Sequence, residues 1–388
     1  MNRDDFDALA RVGAGTPSGE WLRRYWWPVA MSVDVGKSPH PVRVLGEDLV
    51  LFRSGNGELG LLDRHCCHRG ASLEFGRVEQ DGIRCCYHGW VFSPDGRCLE
   101  QPAEPPESRF KDRVRQTSYK TLELSGFIFA YMGPDPAPKF PKIDLLFDET
   151  RRRTAWGREM HSNWLPQAEN AADPHHIMTA HAAVYPELAL LRPEVTWDER
   201  WYGMQVTSVY PNGIEDRHHE FFPSGIRVDV VRIGDVPRQT MVWITPIDDH
   251  HTAAFYMFAS QGDGPPHALI ARPFQKMTPG VYRRVEDGWF NIVSADQDDA
   301  PINSIDEHTK GENLASSDRG VVMYRNMIRR SIEMVKAGKD PIAVRRDDDA
   351  DEIIHFETYK RGLNVERDRI REPDAGKRLG IVPTLEPG

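Results

Sequence analysis

The stretch from Arg64 to Trp90 constrains this chain more than any other. It opens Arg64-His-Cys-Cys-His-Arg-Gly and closes Arg84-Cys-Cys-Tyr-His-Gly-Trp, so Cys66-x-His68 is followed, after sixteen residues, by Cys85-x-x-His88. Two thiolates and two imidazoles delivered by a pair of short loops can hold a tetrahedral zinc, or a two-iron cluster with cysteines on one iron and histidines on the other. The one-residue gap of the first pair separates the two, because structural zinc loops space their ligands by about two to four residues. The pattern predicts a [2Fe-2S] cluster on Cys66, His68, Cys85 and His88. Gly70 and Gly89 follow closely behind the histidines. Without a Cβ they let both loops turn tightly and aim backbone N–H groups at sulfur.

A chain of 388 residues exceeds one core and implies two domains or more. With 49 Lys and Arg against 59 Asp and Glu, the net charge of −10 argues against nucleic acid as a partner. The first thirty residues lack the apolar core of a secretory signal, and no run of about twenty apolar residues offers a membrane span, so a cytoplasmic protein is expected. Five cysteines confined to Cys66, Cys67, Cys85, Cys86 and Cys98 make no disulfide framework for a chain this size. Cys67 and Cys86 read as small buried loop residues beside the ligands.

Residues 4 to 27 carry apolar positions at helical spacing and predict a short amphipathic helix leading into the first sheet. From about 41 to 133 the texture is of short β-rich runs separated by turns, at 41–45, 48–52, 59–62, 83–85 and 126–131, as in a small antiparallel domain. Gly55-Asn-Gly57-Glu-Leu-Gly60 matches the dinucleotide-binding glycine pattern, but a strand follows instead of a helix, so it reads as a hairpin turn of Asn-Gly type. The proline-rich stretch 133–141 sets a boundary near 140. Three parts result: a helical segment 1–40 packing on the last part, a cluster domain 41–135, and a domain 140–388. The last mixes strands near 197–210, 225–233, 238–246 and 252–259 with helices at 174–182, 267–290 and 317–338, an α+β arrangement of antiparallel strands and long helices. The charged tail from Arg367 reads as a surface-wrapping or frayed end.

A second constellation opens after Pro166: Glu169-Asn-Ala-Ala-Asp173-Pro-His175-His176-Ile-Met-Thr-Ala-His181. Two histidines and a later carboxylate make the facial triad that holds ferrous iron with open positions. His176 and His181 are five apart, about 140° round a regular helix, and share a face only if a π-type turn or a helix end intervenes at His181. Asp173 before Pro174 is also the ordinary pattern of an N-cap followed by proline. His161 and His175 read as polar partners or surface residues. The third ligand is expected in Ala295-Asp-Gln-Asp-Asp299, which otherwise reads as a solvated acidic turn.

Together these residues resemble the α-subunits of Rieske non-haem iron ring-hydroxylating oxygenases, especially the phthalate 4,5-dioxygenase-like branch. The likeness runs from Gly13-Ala-Gly-Thr-Pro17 and Arg24-Tyr-Trp26 through the cluster loops, Asn163-Trp-Leu165, Glu169, Asp173 and His181. It resumes at Pro246-Ile-Asp-Asp249, Gln297-Asp298 and Ser317-Asp-Arg-Gly-Val321. It implies a Rieske domain with an antiparallel β fold and a helix-grip catalytic domain. It implies Cys66 and Cys85 on one cluster iron, His68 and His88 on the other, and a mononuclear Fe(II) on His176, His181 and Asp298. Asp173 is the implied bridging carboxylate, accepting from iron-bound His176 and from a cluster histidine, His88, of a neighbouring copy in a homotrimer. Cys67 and Cys86, where many relatives carry proline or an aliphatic residue, and Asn303, where the branch often has glutamate, depart from the pattern.

The expected activity is that of the terminal oxygenase of a multicomponent system. A separate NAD(P)H-dependent reductase, with or without a ferredoxin, is its partner, since the chain has no flavin or nicotinamide site. With dioxygen it hydroxylates a substituted aromatic compound, an acid, or removes a methyl group from a methoxylated acid. Arg217, Arg227 or Arg232 is a candidate clamp for the acid, against the plainer reading of solvated strand residues. The rivals are a Rieske electron-transfer protein with a non-catalytic binding domain, and a zinc-stabilised binding module.

Overall fold

The computed structural model describes residues 3–182, 185–230, 238–260, 268–276, 294–305 and 312–362. In chain order the first half carries β1 (Trp26–Met31), β2 (His40–Val44), β3 (Glu47–Arg53), β4 (Leu59–Asp63), β5 (Arg77–Val78), β6 (Ile83–Arg84), β7 (Val91–Phe92), β8 (Cys98–Glu100), β9 (Ser118–Leu124) and β10 (Phe127–Tyr131). They form a six-stranded antiparallel sheet in the order β1-β10-β9-β4-β3-β2 and a small sheet β5-β6-β7-β8. The turn between β3 and β4 holds Gly57 at φ +86, with its N–H on Ser54 O, so the dinucleotide-like glycine pattern is a hairpin.

The second half carries β11 (Arg152–Met160), β12 (Glu194–Arg200), β13 (Gly203–Val209), β14 (Glu215–Phe221), β15 (Gly225–Val230), β16 (Arg238–Pro246), β17 (Thr252–Ser260), β18 (Leu269–Ala271) and β19 (Tyr359–Arg361). They make one nine-stranded sheet, β12 to β17 in sequence and then β11 and β18, with β19 beside β14. The helices are α1 (Arg3–Ala10), α2 (Pro17–Leu22), α3 (Asp144–Phe147), α4 (Trp164–Ala172), α5 (Ile177–Ala180), α6 (Ser294–Asn303) and α7 (Arg319–Lys336). The fold is α+β.

Packing follows from which faces are apolar. Met204, Val206, Val242, Ile244 and Tyr256 on one face of the large sheet meet Trp164 and Leu165 of α4 and Tyr324 and Ile328 of α7. Met241, Trp243 and Phe255 on the other face meet Phe127 and Phe129 of β10. All five residues of β10 are buried, which is why its sequence is apolar without alternation. The two sheets are also joined through the main chain, where Leu45 and Gly46, both at positive φ, donate to Pro246 O and Ile247 O.

Four readings of the sequence are corrected. Residues 4 to 27 are not one helix: Gly13, Gly15 and the Thr16 cap of α2 split it, and Trp26 and Trp27 belong to β1. The run near 197–210 is a hairpin, β12 and β13, turning before Gly203 at φ +145. Within the expected helix 267–290, Leu269–Ala271 is a strand parallel to β11, and 277–290 lie outside the described residues, as do Arg232 and the tail from Arg367. Cys67 and Cys86 are exposed, not buried, because each points away from the core that takes its neighbour. No helix among the described residues is long and apolar enough to cross a membrane.

Candidate active site

The two cluster loops repeat one backbone device. Cys66 N–H donates to Ala71 O and Gly70 N–H back to Cys66 O, while Cys85 N–H donates to Trp90 O and Gly89 N–H back to Cys85 O. Gly70 and Gly89, at φ +77 and +74, close the two turns in the left-handed region. Gln116, buried, staples the first loop by accepting from Cys67 N–H and donating to the carbonyls of Asp63 and His65. The tips bring Cys66 and Cys85 into a buried apolar cluster with Leu73, Ile83 and Phe92. The His68 and His88 rings lie 4.5 Å apart, and His68 is stacked on Trp90 at 4.2 Å.

Left as thiols, these residues are poorly satisfied. Burial pushes the Cys66 thiol up to about 12, and neighbouring Cys85 adds to that. His68 Nδ1 is buried with no hydrogen-bond partner. A cationic cluster that draws off both thiol protons and binds imidazole nitrogen answers both deficits, so the donor set fits.

The second centre is built where helices end. Asn163 caps α4 by accepting from Leu165 N–H and ties it to the N-terminal segment through Ala10 O. Glu169 on α4 is bound bidentately by Arg325 of α7 at 2.5 and 2.8 Å, and Arg325 also reaches Glu312. Burial alone would lower the Arg325 guanidinium, but Glu169 and Glu312 outweigh it and hold it charged. After Ala172 the chain makes a 3-10 turn at Pro174–His176 and then the short α5, which stops at His181 with φ −102 and ψ 16. That helix end brings the Nε2 atoms of His176 and His181 to 3.2 Å.

The third group comes from α6. Asp298 Oδ1 lies 3.0 Å from His181 Nε2 and 3.5 Å from His176 Nε2, buried and without a hydrogen bond. Its neighbour Asp299 pairs with Arg158 of β11 at 2.6 Å, which pins α6 to the sheet and turns Asp298 toward the histidines. Gln297 Oε1 accepts from His181 Nδ1 at 2.8 Å, and the main-chain carbonyl of Asp173 accepts from His176 Nδ1. Both rings are thereby set in the tautomer that turns an Nε2 lone pair inward. Burial holds the His176 imidazole below its usual range, against the pull of Asp298, and so favours the neutral ring a metal needs. The three ligand atoms lie within 4.8 Å of one another, two histidines and one carboxylate, the donor set suited to ferrous iron.

Asp173 differs from expectation in one respect. Its carboxylate accepts from His175 N–H as a cap, while its carbonyl, not its carboxylate, takes the His176 ring. His175 lies beside Trp197, and His161 stands with Glu159 and His251 at the far end of β11. The arginines are otherwise engaged: Arg227 is fully buried on Gln239 Oε1 and Thr240 O, and Arg217 meets Glu357 and the Tyr359 ring. Gln116 and the contacts of Gln297 escaped the sequence reading, because amide side chains leave no periodic signal.

Comparison with known proteins bears on this pairing of sites. Residues 25–120 match the Rieske [2Fe-2S] domain family. The phenoxybenzoate dioxygenase α-subunit of Ectopseudomonas oleovorans is 33% identical over 90% of this chain and 89% of its own. The 5,5'-dehydrodivanillate O-demethylase oxygenase subunit of a Sphingobium strain is 32% identical over 98% and 92%. This chain belongs to the Rieske aromatic-ring oxygenase α-subunits. Rieske oxygenases of this kind are terminal oxygenase components that carry a [2Fe-2S] cluster and a mononuclear non-haem Fe(II), and this chain is one. Its fold agrees: NdmA of Pseudomonas putida with caffeine superposes with a TM-score of 0.67 over 88% of this chain and all of that one, at 21% identity. Dicamba monooxygenase gives 0.61 over 82% and 99% at 16% identity.

Proposed function

We propose that Cys66 and Cys85 hold one cluster iron and His68 and His88 the other, and that His176, His181 and Asp298 hold the mononuclear Fe(II). The observation that carries this is the convergence of the two Nε2 atoms and Asp298 Oδ1 at one buried point. When bound, the cluster supplies electrons singly and the ferrous iron a redox-active centre with open positions for dioxygen. The chain's own part is positioning. Gln297 and the Asp173 carbonyl fix the two imidazoles, Arg158 and Asp299 fix the helix that presents Asp298, and Trp90 fixes the His68 ring.

The Asp173 carboxylate and His88 are each partly exposed, and the carboxylate's hydrogen-bond partner is the main-chain N–H of His175 rather than a histidine ring. We read them as facing one another across the contact between copies in a homotrimer, with Asp173 accepting a ring N–H from His88 of a second copy. A separate NAD(P)H-dependent reductase, alone or with a ferredoxin, supplies the electrons. The substrate class is a substituted aromatic acid, in keeping with the relatives named for phenoxybenzoate and dehydrodivanillate.

The test is product analysis under labelled dioxygen with a surrogate reductase, NADH and a panel of phthalates, hydroxybenzoates and methoxybenzoates. Labelled hydroxyls on an intact ring assign ring hydroxylation; formaldehyde from a methoxylated acid assigns O-demethylation. Roughly three irons per chain are expected, against two for an electron-transfer protein; two irons and no oxygenated product reject this reading.

A further inference from the structure

A row of buried polar side chains crosses the large sheet beside the iron site. Ser208 of β13 stands opposite Asp216 of β14, and Asp216 opposite Lys360 of β19, so the three side chains share the face that α4 covers. Lys360 Nζ is 3.8 Å from Asp216 Oδ1 and 4.6 Å from the centre of the Tyr185 ring. Tyr185 in turn leads back to the iron site: its N–H donates to His181 O at 2.8 Å, and its ring is 6.5 Å from the His181 ring. Tyr210 packs against Tyr185 in the same apolar cluster.

Three atoms of this row are buried without a hydrogen bond: Ser208 Oγ, Tyr210 Oη and Asp216 Oδ1. A folded chain seldom leaves several such groups unmet in one place unless a water or a ligand group completes them. Their chemistry limits that group. Asp216 Oδ1 only accepts, Lys360 only donates, and the two hydroxyls do either. Burial would raise the Asp216 carboxyl, but Lys360 and His218 outweigh it and hold it below its usual range; Asp216 likewise holds Lys360 charged against burial. The charges of the pair therefore cancel. A carboxylate placed here would add a buried negative charge beside Asp216 with nothing left to balance it, whereas a neutral hydroxyl donates to one member of the pair and accepts from the other.

We propose that the Ser208–Asp216–Lys360 row, with Tyr210, receives a neutral hydroxyl substituent of the aromatic substrate, its O–H donating to Asp216 Oδ1 and its oxygen accepting from Lys360 Nζ. This rests on the iron site proposed above.

The experiment uses the full-length holoprotein and reads binding by tryptophan quenching for 3- and 4-hydroxybenzoate, benzoate, isophthalate and terephthalate, which share a ring and a carboxylate. One of the hydroxybenzoates is expected to bind at least about tenfold more tightly than benzoate, and the dicarboxylates more weakly. Asp216→Asn and Lys360→Met should each abolish that preference. Because either single change strands a buried charge, the double variant D216N/K360M, which removes both, is measured with them. Equal binding of hydroxybenzoate and benzoate by the parent, or a preference that survives in the double variant, overturns the proposal and leaves the row holding internal water only. Iron content, read on the same samples, keeps the two readings apart: two irons per chain reject the oxygenase site, whereas roughly three irons without hydroxyl preference reject the row alone.

Discussion

The Nε2 atoms of His176 and His181 face each other at 3.2 Å, although five residues of regular helix would turn them about 140° apart. The chain solves this by passing from a 3-10 turn into one turn of α5 and stopping at His181. What keeps the facing pair from rotating is the hydrogen bond on the far nitrogen of each ring, to Gln297 and to the Asp173 carbonyl.

Gln297→Leu should therefore release the His181 ring and weaken iron binding by about 10–100-fold. Iron analysis after dialysis against a weak chelator reads this, with the cluster's visible absorbance as an internal standard. Full mononuclear iron in the variant would show that the amide does not orient the ring.

Asp173→Asn should leave both metals in place, since the carbonyl that holds His176 survives the change and asparagine still caps His175 N–H. Electron transfer between the centres should slow by about tenfold or more in single-turnover kinetics. Unchanged transfer with intact metals would remove the carboxylate from the route between copies.

Arg325→Ala leaves Glu169 buried without its bidentate partner and unties α4 from α7. Removing one member of a buried pair costs about 3–5 kcal/mol, so the variant should unfold at a markedly lower temperature. A loss below about 1 kcal/mol would mean that water replaces the guanidinium.

Glu220 on β14 is buried with both carboxyl oxygens unbonded, and burial, aided by the charge of Glu169, holds it well above the ordinary carboxylate range. It is protonated in the folded chain and ionises on unfolding once the pH passes about 4.3, so the folded state binds the extra proton and stability falls as pH rises from there. Each pH unit between the two pKa values costs about 1.4 kcal/mol, or roughly 2–4 °C of Tm. Glu220→Gln should gain over the parent by that slope as pH is raised from about 5, levelling off above the folded pKa. A Tm difference that stays constant between pH 5 and 8 would show an ionised Glu220.

Cys67 and Cys86 are exposed beside buried Cys66 and Cys85. Iodoacetamide on the holoprotein should label the exposed pair alone, and Cys67→Ser and Cys86→Ser should each retain the cluster spectrum. Loss of the spectrum in either serine variant would make that thiol part of the cluster's support.

The sequence by itself determined the cluster loops and the His176–His181 pair as candidate ligands, because metal ligands must be of fixed chemical type at short fixed spacings and each group lies on a loop or helix end that local turns close. It also determined β10 and α7, whose burial is apolar and so leaves a pattern. The strands β11 and β14 left none: Glu215-Asp-Arg-His-His-Glu-Phe221 has six polar residues in a row and no apolar alternation, yet Asp216, His218 and Glu220 are buried. Nor could sequence choose among the acidic residues 296–299, since only the Arg158–Asp299 pair, formed across more than a hundred residues, turns Asp298 inward. The row from Ser208 to Lys360 likewise exists only once β13, β14 and β19 are in register. Polar groups are buried where partners from distant strands surround them, and that company is a property of the tertiary structure, not of any local run of residues.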